Sequence, residues 1–577
     1  MSVPFYDIRE IKSFKDMLVQ NSALFPARNA FLVKNAEGGY DGITFPRLLK
    51  NVDYLGTGLL SRGLAGKTVA VIGKNSFEWC LTYLAVTCGG GVIVPVDKEL
   101  PEDDIANILR TAEVSAVVFD EKEGEKALNV RDRIHGGVVY IGMRCEEDTD
   151  SVLSFPRLLE GGRELFKSGE RGYADAQLDP KALSVLLFTS GTTGMAKGVM
   201  LSQYNICSDI MSLSGVVKIT PDDLILSILP LHHTYECSLS FMMVIYSGGC
   251  VAFCEGLRYI MKNMQELQPT LFVTVPLMLE KFHLRILKKA SESKVSRIAL
   301  SFGKALSEAT SAIGVNISDK IFAEITKNFG GRLRMIITGA APIDPQIVKD
   351  FKAFGMPVYV GYGLTECSPL VIGNNDRLQL ADSVGEPLPW VEAKILNPDA
   401  SGVGEILIKG PMVMLGYYKD EKATAEVFTE DGWFRTGDLG SVDENGHYRI
   451  VGRIKNVIVT KNGKNIYPEE VEYYLNKSPL VAESLVFGSD DEDENGSVVE
   501  AKIFPDVEAI MEKFKNKAPT KEEVFKVISD VVREANKKLP KYKHVKRFDI
   551  RESEFIKTTT NKIKRHANIT GEEKHDD

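Results

Sequence analysis

The chain is 577 residues long, 44% hydrophobic and 26% charged, with a net charge of −9; that length exceeds what one hydrophobic core organises, so two or more domains are expected. The acidic balance argues against nucleic-acid binding as the main business, because such surfaces are usually basic. Eight scattered cysteines without a C-x-x-C pair are best accounted for as small buried hydrophobes in a reducing compartment, with no structural metal site expected.

Met1 to Glu10 carries acids and no apolar core of signal-peptide length, so export is not expected and the protein is placed in the cytoplasm. Ile11 to Phe25 predicts an opening helix, and Gly39 to Phe45 a short strand pair. Lys67 to Gly73 is an apolar strand, Ser76 a cap for a helix over Phe77 to Cys88, and Gly91 to Val96 another strand. A helix over Pro101 to Thr111 and a strand over Ala116 to Phe119 follow. Strands alternating with helices of this length predict crossover units in a mostly parallel sheet. The same rhythm resumes at Leu224 to Leu229, Val251 to Phe253, Leu271 to Thr274, Met335 to Thr338 and Pro357 to Val360. The apolar run Cys237 to Cys254 is broken by serines and by Gly248 and Gly249, which predicts a buried helix, a turn and a strand rather than a membrane span.

From Gly385 short strands at Glu392 to Leu396, Gly404 to Lys409 and Tyr448 to Val451 predict a small β-rich subdomain. Beyond Gly452 come a helix over Pro468 to Asn476, strands at Val481 to Phe487 and Val498 to Phe504, a long amphipathic helix over Lys521 to Lys538, and a last strand at Phe548. The expected fold is therefore α/β. It has an N-terminal domain, residues 1–452, of stacked mostly parallel sheets with the β-rich subdomain at about 385–452. A small α+β domain, 453–577, completes it. The acidic run Asp490 to Glu494 lacks EF-hand spacing and is expected to be a solvated turn.

The stretch with the most chemistry is Thr189-Ser190-Gly191-Thr192-Thr193-Gly194-Met195-Ala196-Lys197-Gly198, which follows the apolar strand Leu183 to Phe188. Glycines let backbone N–H groups approach an oxyanion, and hydroxyls and a lysine add donors, so it suits a phosphate. It is not a Walker loop, since Lys197 stands between Ala196 and Gly198 rather than between glycine and a hydroxyl residue. An ordinary turn is the alternative. Further on, Gly361-Tyr362-Gly363-Leu364-Thr365-Glu366 ends a strand with a ring, a hydroxyl and a carboxylate, a set able to stack a base, touch a phosphate and hold a hard cation. Gly339, Ala340 and Ala341 form a turn of small residues where a flat ring could approach. Asp438, in Trp433-Phe-Arg-Thr-Gly-Asp438, suits a ribose diol; Arg453 follows in Gly452-Arg453-Ile-Lys455, and Lys562 near the end. Each also has a bland reading, as a turn residue, a surface charge or a tail lysine.

Taken in order, these motifs resemble the adenylate-forming superfamily of acyl-CoA synthetases, non-ribosomal adenylation domains and firefly luciferase, and most closely its bacterial long-chain fatty-acid–CoA ligases. The resemblance covers nearly the whole chain and rests on five motifs in family order: Thr189–Gly198, Tyr362–Glu366, Trp433–Asp438, Gly452–Lys455 and Lys557–Arg565. It implies a two-step reaction. A carboxylate attacks the α-phosphate of ATP, giving an acyl-adenylate and pyrophosphate; a thiol then displaces AMP. It further implies that Thr189, Ser190, Gly191, Thr192, Thr193, Gly194 and Lys197 cradle the β,γ-phosphates. Glu366 would hold Mg²⁺ and Thr365 would touch the α-phosphate. Tyr362, Gly363 and the Gly339–Ala341 turn would flank adenine, while Asp438 and Arg453 would bind the ribose. Lys562 would bridge the acyl carboxylate and the α-phosphate. Lys455 corresponds to the hinge about which the family's C-terminal domain rotates, and Gly463 to the pantetheine tunnel.

In Leu229-Pro-Leu-His-His-Thr-Tyr-Glu236, His233 matches a histidine that lines the family's acyl site; a buried structural histidine is the alternative. Two departures stand out. Ile556 replaces the family's Pro and Asn561 its Gly ahead of Lys562, with Lys564 two positions on as a rival lysine. The helix-prone segment Glu280 to Arg332 resembles an extension of long-chain members. Its Lys288, Lys289, Lys294 and Arg297 leave peripheral contact with anionic lipid open beside a plain solvated face. The expected activity is a Mg²⁺-dependent ligase joining a long- or medium-chain fatty acid to CoA with ATP. Transfer to an acyl-carrier protein, or a nucleotide binder without turnover, are the alternatives.

Overall fold

The computed structural model describes residues 3–189, 197–291, 303–307, 321–460, 464–491, 496–557 and 562–570. The chain divides into two compact units. The first comprises Met1–Ala393, Ile408–Phe434 and Glu444–Tyr448; the second comprises Lys394–Leu407, Arg435–Asp443 and Arg449–Asp577. Parts of the expected β-rich subdomain thus group with the C-terminal residues.

Two large sheets organise the first unit. One has eight strands in the order Gly416–Tyr417, Lys197–Ser202, Leu183–Thr189, Val92–Val96, Thr68–Ile72, Ala116–Phe119, Val139–Gly142, Leu153–Ser154. Its pairs are parallel from Leu183–Thr189 onward, while Lys197–Ser202 runs antiparallel to both of its neighbours. The other has nine strands. Its parallel centre runs Val358–Gly363, Met335–Thr338, Leu271–Thr274, Leu224–Ser227, Cys250–Phe253, Asn29–Lys34, and antiparallel strands flank both ends. Mostly parallel sheets are buried on both faces, which is why these strands read as unbroken apolar runs. Ala70, Ile72, Val94, Val117, Ile105 and Leu109 form a core on the first sheet; Phe272, Ile336, Val358, Phe351 and Phe354 form one on the second.

Sequence signals account for the element ends. Ser76 caps the helix Phe77–Thr87, its side chain accepting from the Trp79 N–H at 3.2 Å. Asp344 does the same for Pro345–Ala353, whose proline sits in the first turn where no intrahelical donor is needed. The Cys237 to Cys254 run is a π-helical turn Cys237–Met242, a short helix Met243–Tyr246, a turn at Gly248 (φ +79°) and a strand Cys250–Phe253. Among the described residues no helix is long and apolar enough to cross a membrane. Lys288 and Lys289 lie in the last turn of the helix Pro276–Ser291; Lys294 and Arg297 lie outside the described residues.

A four-stranded sheet, Glu392–Leu396, Gly404–Lys409, Phe434–Val442, Tyr448–Arg453, falls mainly in the second unit. That unit also holds a three-stranded sheet of Val481–Asp491, Gly496–Pro505 and Arg547–Ile550, with the helices Pro468–Asn476 and Lys521–Asn536 among others. Its own core gathers Val471, Leu475, Val486, Ile503, Ile528 and Val532.

Candidate active site

The Thr189 and Lys197 ends of the hydroxyl-rich stretch are the two sides of a hairpin. Leu183–Thr189 and Lys197–Ser202 pair antiparallel with Thr189 opposite Lys197, and the Thr189 hydroxyl lies 3.5 Å from the Lys197 carbonyl. Ser190, Gly191, Thr192, Thr193 and Gly194 lie outside the described residues. Thr189 and Lys197 are half-buried.

The second predicted cluster forms where the strand Val358–Gly363 ends. Gly363 is required there, because a Cβ would stand 1.8 Å from the Pro369 carbonyl oxygen. Thr365 and Glu366 follow on a single 3-10 turn, Thr365–Cys367, both half-buried, while the Tyr362 ring is buried. On the neighbouring strand, Thr338 pairs with Val360, and the Gly339–Ala341 turn follows directly. A Cβ at Gly339 would meet the Gly361 carbonyl oxygen at 2.8 Å, Ala340 takes a left-handed φ of +68°, and Ala340 and Ala341 are exposed. Two adjacent parallel strands thus end side by side with small residues and a carboxylate, the usual ligand position in α/β sheets.

Sequence reasoning missed the residue that joins these clusters. Tyr417 donates from its hydroxyl to Glu366 Oε1 at 3.0 Å, and the Lys197 ammonium sits 4.8 Å from its ring centroid. The strand Gly416–Tyr417 pairs with Lys197–Ser202, and Met414 N–H donates to the Glu366 carbonyl at 2.8 Å. The only local signal was an aromatic pair after a glycine, 51 positions beyond Glu366.

His233 is half-buried at the start of the short helix Thr234–Glu236, beside His232. The two Nε2 atoms are 3.1 Å apart, and His232 Nε2 lies 3.3 Å from Asp97 Oδ2. Asp97, His232 and His233 offer ligand atoms all within 4.8 Å of one another. This nitrogen-rich set suits a borderline metal such as zinc better than Mg²⁺, for which the Glu366 carboxylate is the harder donor. Asn75 fixes the loop ahead of the histidines: its amide donates to Ser227 Oγ (2.9 Å) and the Leu229 carbonyl (2.6 Å), and it accepts from the Leu231 N–H. Below lies Glu236, fully buried, accepting from Ser227 Oγ at 2.6 Å and Ser240 Oγ at 2.8 Å. Burial pushes its carboxyl up to about 8 against those hydrogen bonds. A small cavity beside His232 is lined by Tyr83, Val185, Leu187, Ile206 and Leu231.

The remaining predicted residues belong to the second unit. Asp438 is buried, with its N–H donating to the Thr436 hydroxyl, and Arg453 Nε pairs with its Oδ1 at 2.8 Å. Lys562 joins them. The residue as a whole is exposed, but its charged end is crowded: desolvation first, and the Arg453 cation second, hold it below the ordinary lysine value against the pull of Asp438. The backbone N–H of Lys564 donates to the Ile556 carbonyl at 2.9 Å. Lys455 is exposed on the 3-10 turn Ile454–Asn456, next to Asn456, whose amide donates to Glu469 Oε1 at 2.7 Å. Gly463 and Asn561 lie outside the described residues.

Comparison with known proteins agrees in both units. A family model described as AMP-binding enzyme matches residues 19–418, and one described as AMP-binding enzyme C-terminal domain matches residues 455–571. The chain is 31% identical over 493 residues to the long-chain-fatty-acid–CoA ligase 6 of Mus musculus, covering 79% of this chain and 69% of that protein. It is 30% identical to the long-chain-fatty-acid–CoA ligase 1 of Homo sapiens over 82% of this chain and 70% of the other. Fatty acyl-CoA synthetase A of Dictyostelium discoideum is 28% identical over 89% and 78%. Among solved structures, ATP-bound MatB from Rhodopseudomonas palustris superposes with a TM-score of 0.73 at 24% identity, covering 97% of this chain and 99% of that one. The anthranilate CoA ligase AuaEII in complex with anthranoyl-AMP gives 0.75 at 19% identity, covering 99% and 98%. At these identities the structural likeness concerns the fold.

Proposed function

The chain belongs to the AMP-binding enzyme family, and from that premise we propose that it activates a fatty acid with ATP and transfers the acyl group to CoA. In the first step the acid's carboxylate displaces pyrophosphate from ATP, forming acyl-adenylate; in the second the CoA thiol displaces AMP. Relatives named long-chain-fatty-acid–CoA ligases support both the acid and the acceptor, CoA rather than a carrier protein. The observation that carries the reading is the joining of Lys197 and Glu366 through Tyr417.

The chemistry brings two anions together, so it needs positioned cations and N–H donors more than a general base. Lys197 and the Thr189 hydroxyl, together with Ser190, Gly191, Thr192, Thr193 and Gly194, cradle the β,γ-phosphates. Tyr362, Gly363 and the Gly339–Ala341 turn flank the adenine, and Thr365 touches the α-phosphate. The Glu366 carboxylate, oriented by a hydroxyl donor and, among the described residues, not paired with a cation, fits Mg²⁺. When bound, that ion supplies charge neutralisation on the phosphates. Asp438 and Arg453 hold the ribose, and Lys562 brings its ammonium to the acyl carboxylate and α-phosphate. His233 belongs to the acyl side of the site on the same reading. Lys455 as hinge, Gly463 as tunnel residue and 453–577 as the C-terminal domain belong to the same reading.

The test is pyrophosphate release with acids of graded chain length, with CoA and with an acyl-carrier protein as acceptors. The expected result is chain-length-dependent release and acyl-CoA as product. Lys562→Ala should lower release by about 10²-fold or more while sparing thioester formation from supplied acyl-adenylate. ATP binding without acid-dependent release would overturn the proposal.

A further inference from the structure

Lys197 and Glu366 carry opposite charges and are destined, on the reading above, for different parts of one nucleotide: the ammonium for phosphate oxygens, the carboxylate for a cation. Left to themselves in a half-buried site, such groups would pair and cancel. They do not. Among the described residues no ion pair joins them, and the Tyr417 side chain stands between the two roles, its ring face toward Lys197 and its hydroxyl donating to Glu366 Oε1.

We propose that Tyr417 is a positioning residue that holds the phosphate lysine and the metal carboxylate apart and each in its working orientation before nucleotide arrives. The ring's negative face attracts the ammonium without supplying an acidic oxygen that would quench it. The hydroxyl fixes one carboxylate oxygen and leaves the other lone pairs for a hard cation. Tyr417 is itself well fixed. It is 8% exposed, its backbone pairs with Val199 on the Lys197 strand, and its N–H donates to Thr424 Oγ1 at 2.9 Å. Residues on either side complete the tie: Leu415 and Tyr418 N–H groups donate to the Met200 and Gly198 carbonyls, and the Met414 N–H to the Glu366 carbonyl. One short segment therefore bonds the backbones that carry both charges. A change at Tyr417 would be felt at both at once.

The inference rests on the roles given above to Lys197 and Glu366, and the experiment separates the two. Wild type, Tyr417→Phe, Tyr417→Leu and Glu366→Gln are compared by calorimetric ATP binding in the presence of chelator, and by Mn²⁺ binding to the protein–ATP complex followed by paramagnetic resonance. Tyr417→Phe keeps the ring and loses the hydroxyl. It should weaken Mn²⁺ binding by about tenfold, as expected for one hydrogen bond to a charged group, and leave metal-free ATP binding within about twofold, since the cation–π contact survives. Tyr417→Leu loses both and should weaken both. Mn²⁺ binding by Tyr417→Phe equal to wild type, with Glu366→Gln impaired, would overturn the positioning role and leave the site reading standing. Equal loss of metal-free ATP binding in the Phe and Leu variants would also overturn it, since that is the mark of general structural damage. Glu366→Gln binding Mn²⁺ like wild type would overturn the metal assignment and the inference with it.

Discussion

At the scale of single residues, Glu236 is a group whose state is set by the fold. Its folded value of about 8 lies above the ordinary 4.5 because burial penalises the charged form. The sign follows from linkage. Below 4.5 the carboxyl is protonated folded and unfolded; as pH rises toward 8 the unfolded chain sheds its proton while the folded one keeps it, so stability falls across that window. Glu236→Gln should flatten the dependence, and urea unfolding at a series of pH values checks it; parallel slopes for variant and wild type would sink the assignment. Nothing local to Glu236, three positions after His233, marks it in the sequence as a buried acid. Its partners Ser227 and Ser240 are ordinary serines until the fold turns them onto it, and Asn75 reaches Ser227 from 152 positions away.

At the scale of elements, the clearest device is the clamp on the 303–307 helix. Asp350, buried on the helix Pro345–Ala353, receives Lys304 Nζ at 2.9 and 3.0 Å, His283 Nε2 at 2.7 Å and Gln346 Nε2 at 2.8 Å, while Ser307 Oγ donates to the Ala353 carbonyl at 2.8 Å. Burial works to raise the Asp350 carboxyl, but the three donors and the Lys304 charge outweigh it and hold it at about 2. A depressed carboxylate contributes stability that is present above 3.8 and is lost as pH falls toward 2. Asp350→Asn imposes that loss at neutral pH. Amide exchange over 303–307 should quicken on the order of tenfold, and unchanged exchange would remove the clamp from the account. Most elements were legible because their signals are local: the apolar run Ala116–Phe119, the Ser76 cap and the Pro468 helix start each announce themselves within a turn or two. The phosphate-type stretch was legible as composition, but its place between antiparallel strands was not, since that depends on Lys197 pairing with Thr189. The Tyr417 link and the Asp350 clamp were illegible for the same reason: they are contacts between distant segments, with no periodicity to betray them.

At the scale of the whole molecule, the cores on the two large sheets belong to one unit and the core around Val471 and Ile528 to the other. Chains with separate cores depart from two-state unfolding. Scanning calorimetry should therefore give a measured enthalpy larger than the van't Hoff value, with ATP raising one transition before the other; a single transition with equal enthalpies would contradict the division. The units are also interleaved in sequence, the chain returning to the first at Ile408–Phe434 and again at Glu444–Tyr448. This bears on biosynthesis. The strand Lys197–Ser202 is covered on its outer side by Gly416–Tyr417, which leaves the ribosome roughly 200 residues later, about 10–40 s at ~5–20 residues per second. Through that interval the apolar segment Gly198-Val-Met-Leu201 lacks its edge partner, and an unpaired edge is a template for pairing with another chain. The residue that keeps two charges apart in the finished protein therefore lies on the strand that closes this edge.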